Sequence, residues 1–233
     1  MSVGVRCQEV PEGRPRARPA SELTGWADWE RAKTIFEKIQ IPPSPPLSPA
    51  DALKTFQVAP GFRLELVASE PLIANPIFFE FDPEGRIWAI EYRGYMRNLK
   101  GDGEGDPICR VVVLEDFNGD GKADRSTVFL DKLVMPRSLA FVKGGLLVAE
   151  PPHLWFCQDT NADLKCDVKT EVGTYGRPGN PQHTANGLAY GIDNWLHSAD
   201  WPSRHRFANG LLVEESVLSR GQFGVSFDEL GRY

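Results

Sequence analysis

The run Asp116-Phe117-Asn118-Gly119-Asp120-Gly121-Lys122-Ala123-Asp124 sets oxygen-bearing side chains at alternate positions around two glycines. A hard cation such as Ca2+ takes about six to eight oxygens, and one short loop supplies them only where such groups alternate and the chain turns sharply. On this pattern Asp116, Asn118, Asp120 and Asp124 are candidate ligands, with Lys122 offering its backbone carbonyl. A degraded copy follows at Asp159-Thr160-Asn161-Ala162-Asp163-Leu164-Lys165-Cys166-Asp167. It offers Asp159, Asn161, Asp163 and Asp167, but Leu164 stands where the turning glycine belongs. The rival reading of both is a hairpin turn that uses Asn-Gly and Asp-Gly for backbone geometry alone. Cys157 and Cys166 flank the second loop where two strands of a hairpin could face each other. They are either a disulfide closing that loop, which implies an oxidising compartment, or two buried thiols.

A second constellation is Gln182-His183-Thr184-Ala185-Asn186-Gly187-Leu188-Ala189-Tyr190. A neutral imidazole just before a strand can take a proton from a substrate hydroxyl, so His183 is the candidate general base; a hydrogen-bonded loop histidine is the plain alternative. The segment Glu91-Tyr92-Arg93-Gly94-Tyr95 ends another strand, and Arg93 suits either an anionic ligand or a surface ion pair. His153, His197 and His205 have no spacing that links them, and no role is assigned to them.

Periodicity gives the elements that must position these groups. Residues 1–20 are polar and rich in Arg and Pro, the composition of a disordered terminus. From Ser21 to Gln40, the residues Leu23, Trp26, Trp29, Ile35, Phe36 and Ile39 recur at helical spacing, which predicts one amphipathic helix. A Pro-rich linker completes the segment 21–47. Ser48-Pro49 then starts a short helix through Phe56. After Gly61 the pattern becomes alternation, with Phe62, Leu64 and Leu66 reading as a strand.

From there one pattern recurs: alternating apolar residues, a Gly-containing turn, then a second strand. Its copies begin at Asn75, Met135, Asn186 and Phe223, and their matching aromatics are Phe81, Phe141, Tyr190 and Phe227. Units of about 40–50 residues with several strands each are the signature of propeller blades, and a period of two excludes a helical solenoid. The fold class expected for 48–233 is all-β, a partial β-propeller of about three to four blades. A propeller needs about four blades to close, so the chain reads as part of a longer protein.

With 233 residues, 41% hydrophobic and 25% charged, the chain has ordinary globular composition. The net charge of -6, with no basic cluster, argues against nucleic acid as partner. No window approaches the roughly 20 apolar residues of a membrane span. The start of the chain shows no leader peptide, and the four cysteines match neither a zinc spacing nor the C-x-x-C-H haem motif.

Three ordered stretches carry a family resemblance: Ser48-Pro49 to Phe56, Pro60-Gly61 to Pro71, and Phe81-Asp82-Pro83-Glu84-Gly85-Arg86-Ile87-Trp88 to Tyr95. With Leu114 to Phe129 and Gln182 to Trp195, they resemble the membrane-bound dehydrogenase domain of large secreted proteins from planctomycetes and related bacteria. That family is similar to the glucose/sorbosone dehydrogenases, six-bladed propellers that hold pyrroloquinoline quinone (PQQ) over their axis and bind Ca2+. The resemblance implies an N-terminal part of a secreted or periplasmic propeller that oxidises a sugar or alcohol. Electrons would pass to a downstream cytochrome c domain with haem c. His183 falls where those dehydrogenases place the proton-abstracting base, and Glu91 and Arg93 fall near a Glu-Arg pair on the cofactor side. The basic segments that contact the quinone lie in later blades of that family, so PQQ binding would need them. The acidic loops here look like turns between strands, and a PQQ-bridging calcium would be a separate site. Two other functions fit the same residues: a calcium-stabilised binding scaffold without turnover, for polysaccharide or protein, and a calcium-dependent lactonase-type hydrolase.

Overall fold

A computed structural model describes residues 43–177, 180–209 and 211–232. The chain divides into two compact units, Met1–Ser48 and Pro49–Tyr233. The disordered segment expected at 1–20 and the helix expected over 21–40 lie outside the described residues. Of the linker, residues 43–47 are exposed and have no regular structure.

In the second unit Pro49 begins a single-turn helix, α1 (Pro49–Leu53), where its missing N–H costs nothing. Among the described residues twelve strands follow: β1 (Pro76–Phe81), β2 (Ile87–Glu91), β3 (Cys109–Glu115), β4 (Arg125–Leu133), β5 (Ser138–Val142), β6 (Gly145–Glu150), β7 (His153–Gln158), β8 (Val168–Thr174), β9 (Asn186–Tyr190), β10 (Leu196–Ala199), β11 (Ser203–Ala208) and β12 (Leu211–Ser216). They form three four-stranded antiparallel meanders, β1 to β4, β5 to β8 and β9 to β12. The first strands of the meanders touch one another, β1 against β5 and β5 against β9. Each meander is thus a propeller blade, with its first strand innermost.

Side-chain alternation explains the stacking. In β2 and β3, Trp88, Ile90, Val111 and Val113 point to one face and join Leu139, Leu146 and Val148 of the second blade. Ala89, Val112 and Leu114 point to the other face, where Ala68 and Ile73 cover them. The second blade is apolar on both sides, since Leu147, Ala149 and Leu154 meet Leu188 and Leu196 of the third. A strand covered on both faces reads as a continuous apolar run, which is why β3 (CRVVVLE) and β6 (GLLVAE) lack polar alternation.

The inner hairpin of the first blade turns on Asp82. One carboxylate oxygen accepts the backbone N–H groups of Glu84 and Arg86, the other accepts Arg86 Nε and Trp88 Nε1, and Gly85 takes φ 83°. The fourth copy ends on the same turn: Asp228 accepts the N–H groups of Leu230 and Arg232 and the Arg232 Nε, with Gly231 at φ 73°. The strand expected at Phe62, Leu64 and Leu66 is not formed. That segment has no ladder partner among the described residues and its Phe62 is exposed, so alternation alone does not make it a strand.

Candidate functional site

The inner strands β1, β5 and β9 all start at one end of the blades, and the β2–β3, β6–β7 and β10–β11 connections return to that end. The first two blades use the same device there. At the end of β2, buried Glu91 accepts the N–H of Ala74, 2.8 Å away, just before β1. At the end of β6, buried Glu150 accepts the N–H of Val134, just before β5, and Trp155 Nε1 at 2.7 Å. Each carboxylate pins the chain entering the inner strand to the next strand of its own blade. A buried carboxylate also needs cations, and they are present. Arg110 Nε and Arg93 Nε lie on the same Glu91 oxygen, Arg93 at 3.2 Å, and Lys169 Nζ lies 3.5 Å from Glu150. Glu91 and Arg93, read from sequence as one pair, are therefore an ion pair here, and Arg93 is partly engaged.

Next to that pair Tyr92 and Tyr95 pack together with ring centroids 5.4 Å apart, and Gln182 Nε2 donates to the Tyr95 hydroxyl. This bond ties the first blade's loop to the residue before His183. The buried hydroxyl of Tyr92 has no hydrogen-bond partner, and burial pushes its pKa up. Over the Tyr92 ring lies the guanidinium of Arg137, 5.3 Å from the centroid. Arg137, Glu104, Arg177 and Thr184 line a cavity of about 280 Å³ whose walls include Val134, Met135, Pro151 and Pro181.

His183 stands at a neighbouring cavity of about 310 Å³, lined also by Arg177, Thr184, Asp200 and Trp201. Its Nδ1 is 3.3 Å from Gln222 Nε2. Asn186 holds the floor: its amide donates to the carbonyls of Thr184 and Gln222, and its carbonyl accepts the N–H of Gly224. The structure thus gathers Glu91, Arg93 and His183 at one end of the blades, joined through Tyr95 and Gln182. Sequence reasoning missed Glu150, Arg137 and Asp200. The first two had a signal, because Glu150 repeats the strand-end position of Glu91 and Arg137 follows Pro136 in the second copy of the repeat.

The acidic loops lie at the opposite end, between β3 and β4 and between β7 and β8, a strand length of roughly 20 Å away. In the first, the two oxygens of Asp116 accept the N–H groups of Gly119 and Gly121, Asn118 accepts from Asp120, Asp120 from Lys122, and Asp124 from Phe117. The Gly121 N–H above all, with its neighbours, holds the Asp116 carboxyl below its ordinary range. The second loop repeats this bond for bond: Asp159 accepts from Ala162 and Leu164, Asn161 from Asp163, Asp163 from Lys165, and Asp167 from Thr160. Leu164 adopts the φ of 63° that Gly121 adopts at 82°, and its side chain is buried in the core shared by the first two blades. Ionised oxygen donors suit Ca2+, but these side chains turn into their own loops. Among the described residues no group of three or more His, Cys, Asp or Glu could hold a metal ion.

Cys157 and Cys166 are free thiols in side-chain contact, and burial above all pushes the Cys157 thiol up. His153 pairs with Glu171 at 2.8 Å and His197 with Asp193 at 3.2 Å. His205 is fully buried.

No curated protein matches the sequence. A solved structure provisionally assigned as a gluconolactonase is similar, with 18% identity and a TM-score of 0.46; the match covers 70% of this chain and 55% of that one. The chain spans about half the length of that relative. No helix among the described residues is long and apolar enough to cross a membrane. A family profile described as a domain of unknown function, DUF7133, matches residues 48–233. The chain belongs to the DUF7133 family.

Proposed function

We propose that the end of the blades where β1, β5 and β9 begin binds a carbohydrate or alcohol, and that His183 takes the proton from its reacting hydroxyl. The observation that carries this reading is the placement of His183 at the rim of a polar cavity, with Gln222 against Nδ1. The Gln222 side-chain amide nitrogen lies 3.3 Å from Nδ1 and 3.5 Å from Nε2 and orients the imidazole at the cavity rim. Thr184, Asp200 and Arg177 supply hydrogen-bonding groups for further hydroxyls, and Trp201 supplies an apolar wall.

In a dehydrogenase a quinone such as PQQ takes the hydride that leaves the carbon. The two cavities, of about 280 and 310 Å³, lie at the small end of ligand sites, ~300–1,000 Å³, and do not fit that ring system beside a sugar. The electron path to a haem domain and a secreted or periplasmic location belong to the same proposal and rest on the resemblance of the sequence, whereas Ca2+ at the acidic loops rests on their alternating oxygen-bearing residues.

The test compares the intact protein with a His183→Ala variant, supplying sugars, PQQ, Ca2+ and a dye acceptor. Dye reduction that falls about 100-fold or more in the variant is expected of a general base. Equal rates remove His183 from the mechanism. Ring opening of an aldonolactone, without dye reduction, would assign the same histidine to a hydrolase. Sugar binding with neither reaction would leave a binding scaffold.

A further inference from the structure

A guanidinium is the most expensive common side chain to bury, because it cannot shed its proton and must find acceptors for five N–H groups. Arg137 is 3% exposed, its Nε has no hydrogen-bond partner, and its side chain makes no ion pair among the described residues. Its guanidinium lies over the face of Tyr92. Glu104 is the nearest acid on the cavity wall, but its carboxylate accepts the N–H of Met96 and forms no ion pair with Arg137. Desolvation above all lowers the pKa of Arg137, and Tyr92, Tyr95 and Glu104 oppose it only in part.

The unspent guanidinium faces the cavity of about 280 Å³, and a second arginine, Arg177, stands on the cavity wall. Arg177 is exposed, and its backbone N–H is bound to Thr184 Oγ1. Val134, Met135, Pro151 and Pro181 give the recess apolar walls, with Gly105 and Thr184 completing the lining. Two cations at a small, largely apolar recess favour an anion with a compact hydrocarbon body.

We propose that this cavity is a binding site for a small carboxylate-bearing ligand of sugar-acid size, anchored by the planar fork of Arg137 and steadied by Arg177. The fork matches the two oxygens of a carboxylate, and burial strengthens each charge-assisted bond. This site shares Arg177 and Thr184 with the cavity of His183, so it deepens the proposed function: the acid group of the ligand sits at Arg137 while a hydroxyl of the same molecule reaches toward His183.

Calorimetric titration of the full chain at constant ionic strength tests this, with galacturonate, glucose and sulfate as probes. Saturable binding of galacturonate, with glucose and sulfate at least ten-fold weaker, is the expected result. Arg137→Gln should weaken galacturonate about 10- to 100-fold, the loss of a charge-assisted pair. Arg137→Lys should recover only part of it, since the charge returns without the fork. Should Arg137→Gln not fold, Arg177→Gln at the exposed position must still weaken binding. Equal affinity for galacturonate and glucose, or no galacturonate binding, overturns the site. Sulfate as tight as galacturonate overturns its carboxylate character, and unchanged affinity in both glutamine variants overturns the role of the arginines. Galacturonate that binds through Arg137 while the intact protein and His183→Ala reduce dye equally would sink the proposed reaction and leave this site standing, so the two failures are separate outcomes.

Discussion

Two buried side chains pay opposite electrostatic costs at the residue scale. Arg137 cannot deprotonate, so it must be answered by a ligand or endured. His205 can, and it does. It is fully buried on β11, opposite Glu214 of β12, with Tyr175 5.9 Å away and neither ring nitrogen hydrogen-bonded. Desolvation lowers its pKa below the ordinary histidine value, and Glu214 only partly opposes this. The unfolded chain then binds a proton that the folded chain refuses, so the contribution is intact above about pH 6.5 and is lost as pH falls below it. The loss is at most roughly 1.4 kcal/mol per pH unit from this one group. Urea unfolding at pH 7.5 and pH 5 should show the native chain losing more stability than a His205→Phe variant. Equal losses would show that His205 is not the group responsible. Neither behaviour could be read from sequence, because His205 and Arg137 carry no motif: what sets them apart is burial without partners, a property of packing. His183, by contrast, was legible because it precedes a strand whose place in the repeat could be counted.

At the scale of the element, the two acidic hairpin loops show how one backbone is built from different residues. Asp116, Asn118, Asp120 and Asp124 make the same bonds as Asp159, Asn161, Asp163 and Asp167. Leu164 at positive φ costs about 1–2 kcal/mol relative to glycine, and burying its side chain returns about 1.5–3 kcal/mol. The tertiary contact therefore outweighs the local preference, which is why the sequence pattern looked degraded while the loop is intact. The alternating blade strands were equally legible, since a period of two survives wherever a strand has one covered and one exposed face. The strand expected at Phe62 to Leu66 was not, because alternation reports a face and not the presence of a neighbour. The calcium reading of residues 116–124 is tested at this scale as well. A cation there would raise the melting midpoint with added Ca2+ by mass action, and Asp116→Ala would abolish the rise. An unchanged midpoint would leave both loops as hairpins held by their own carboxylates.

For the second unit as a whole, blades protect one another's faces, and the flanks show where that protection stops. The middle blade is covered on both sides. The first carries Phe79 and Phe81 edge to face, ring centroids 5.9 Å apart and both more than half exposed, and Phe62 is exposed as well. On the third, Leu211, Val213, Ile192 and Leu218 are exposed. Soluble monomers rarely show contiguous apolar patches beyond a few hundred Å², and blade flanks also carry unpaired strand edges. A second copy of the chain can cover either flank, at about 25 cal/mol for each Å² of apolar surface removed from water. Light scattering on the purified chain should therefore give a mass above 25.9 kDa that rises with concentration. Because Phe79 and Phe81 point away from the core, replacing both with Asp should lower that mass while leaving the folded signal of the blades intact. A chain that stays at the monomer mass up to high micromolar concentration, with the phenylalanines in place, would show that the flanks are not sticky. The blades would then be sufficient to themselves.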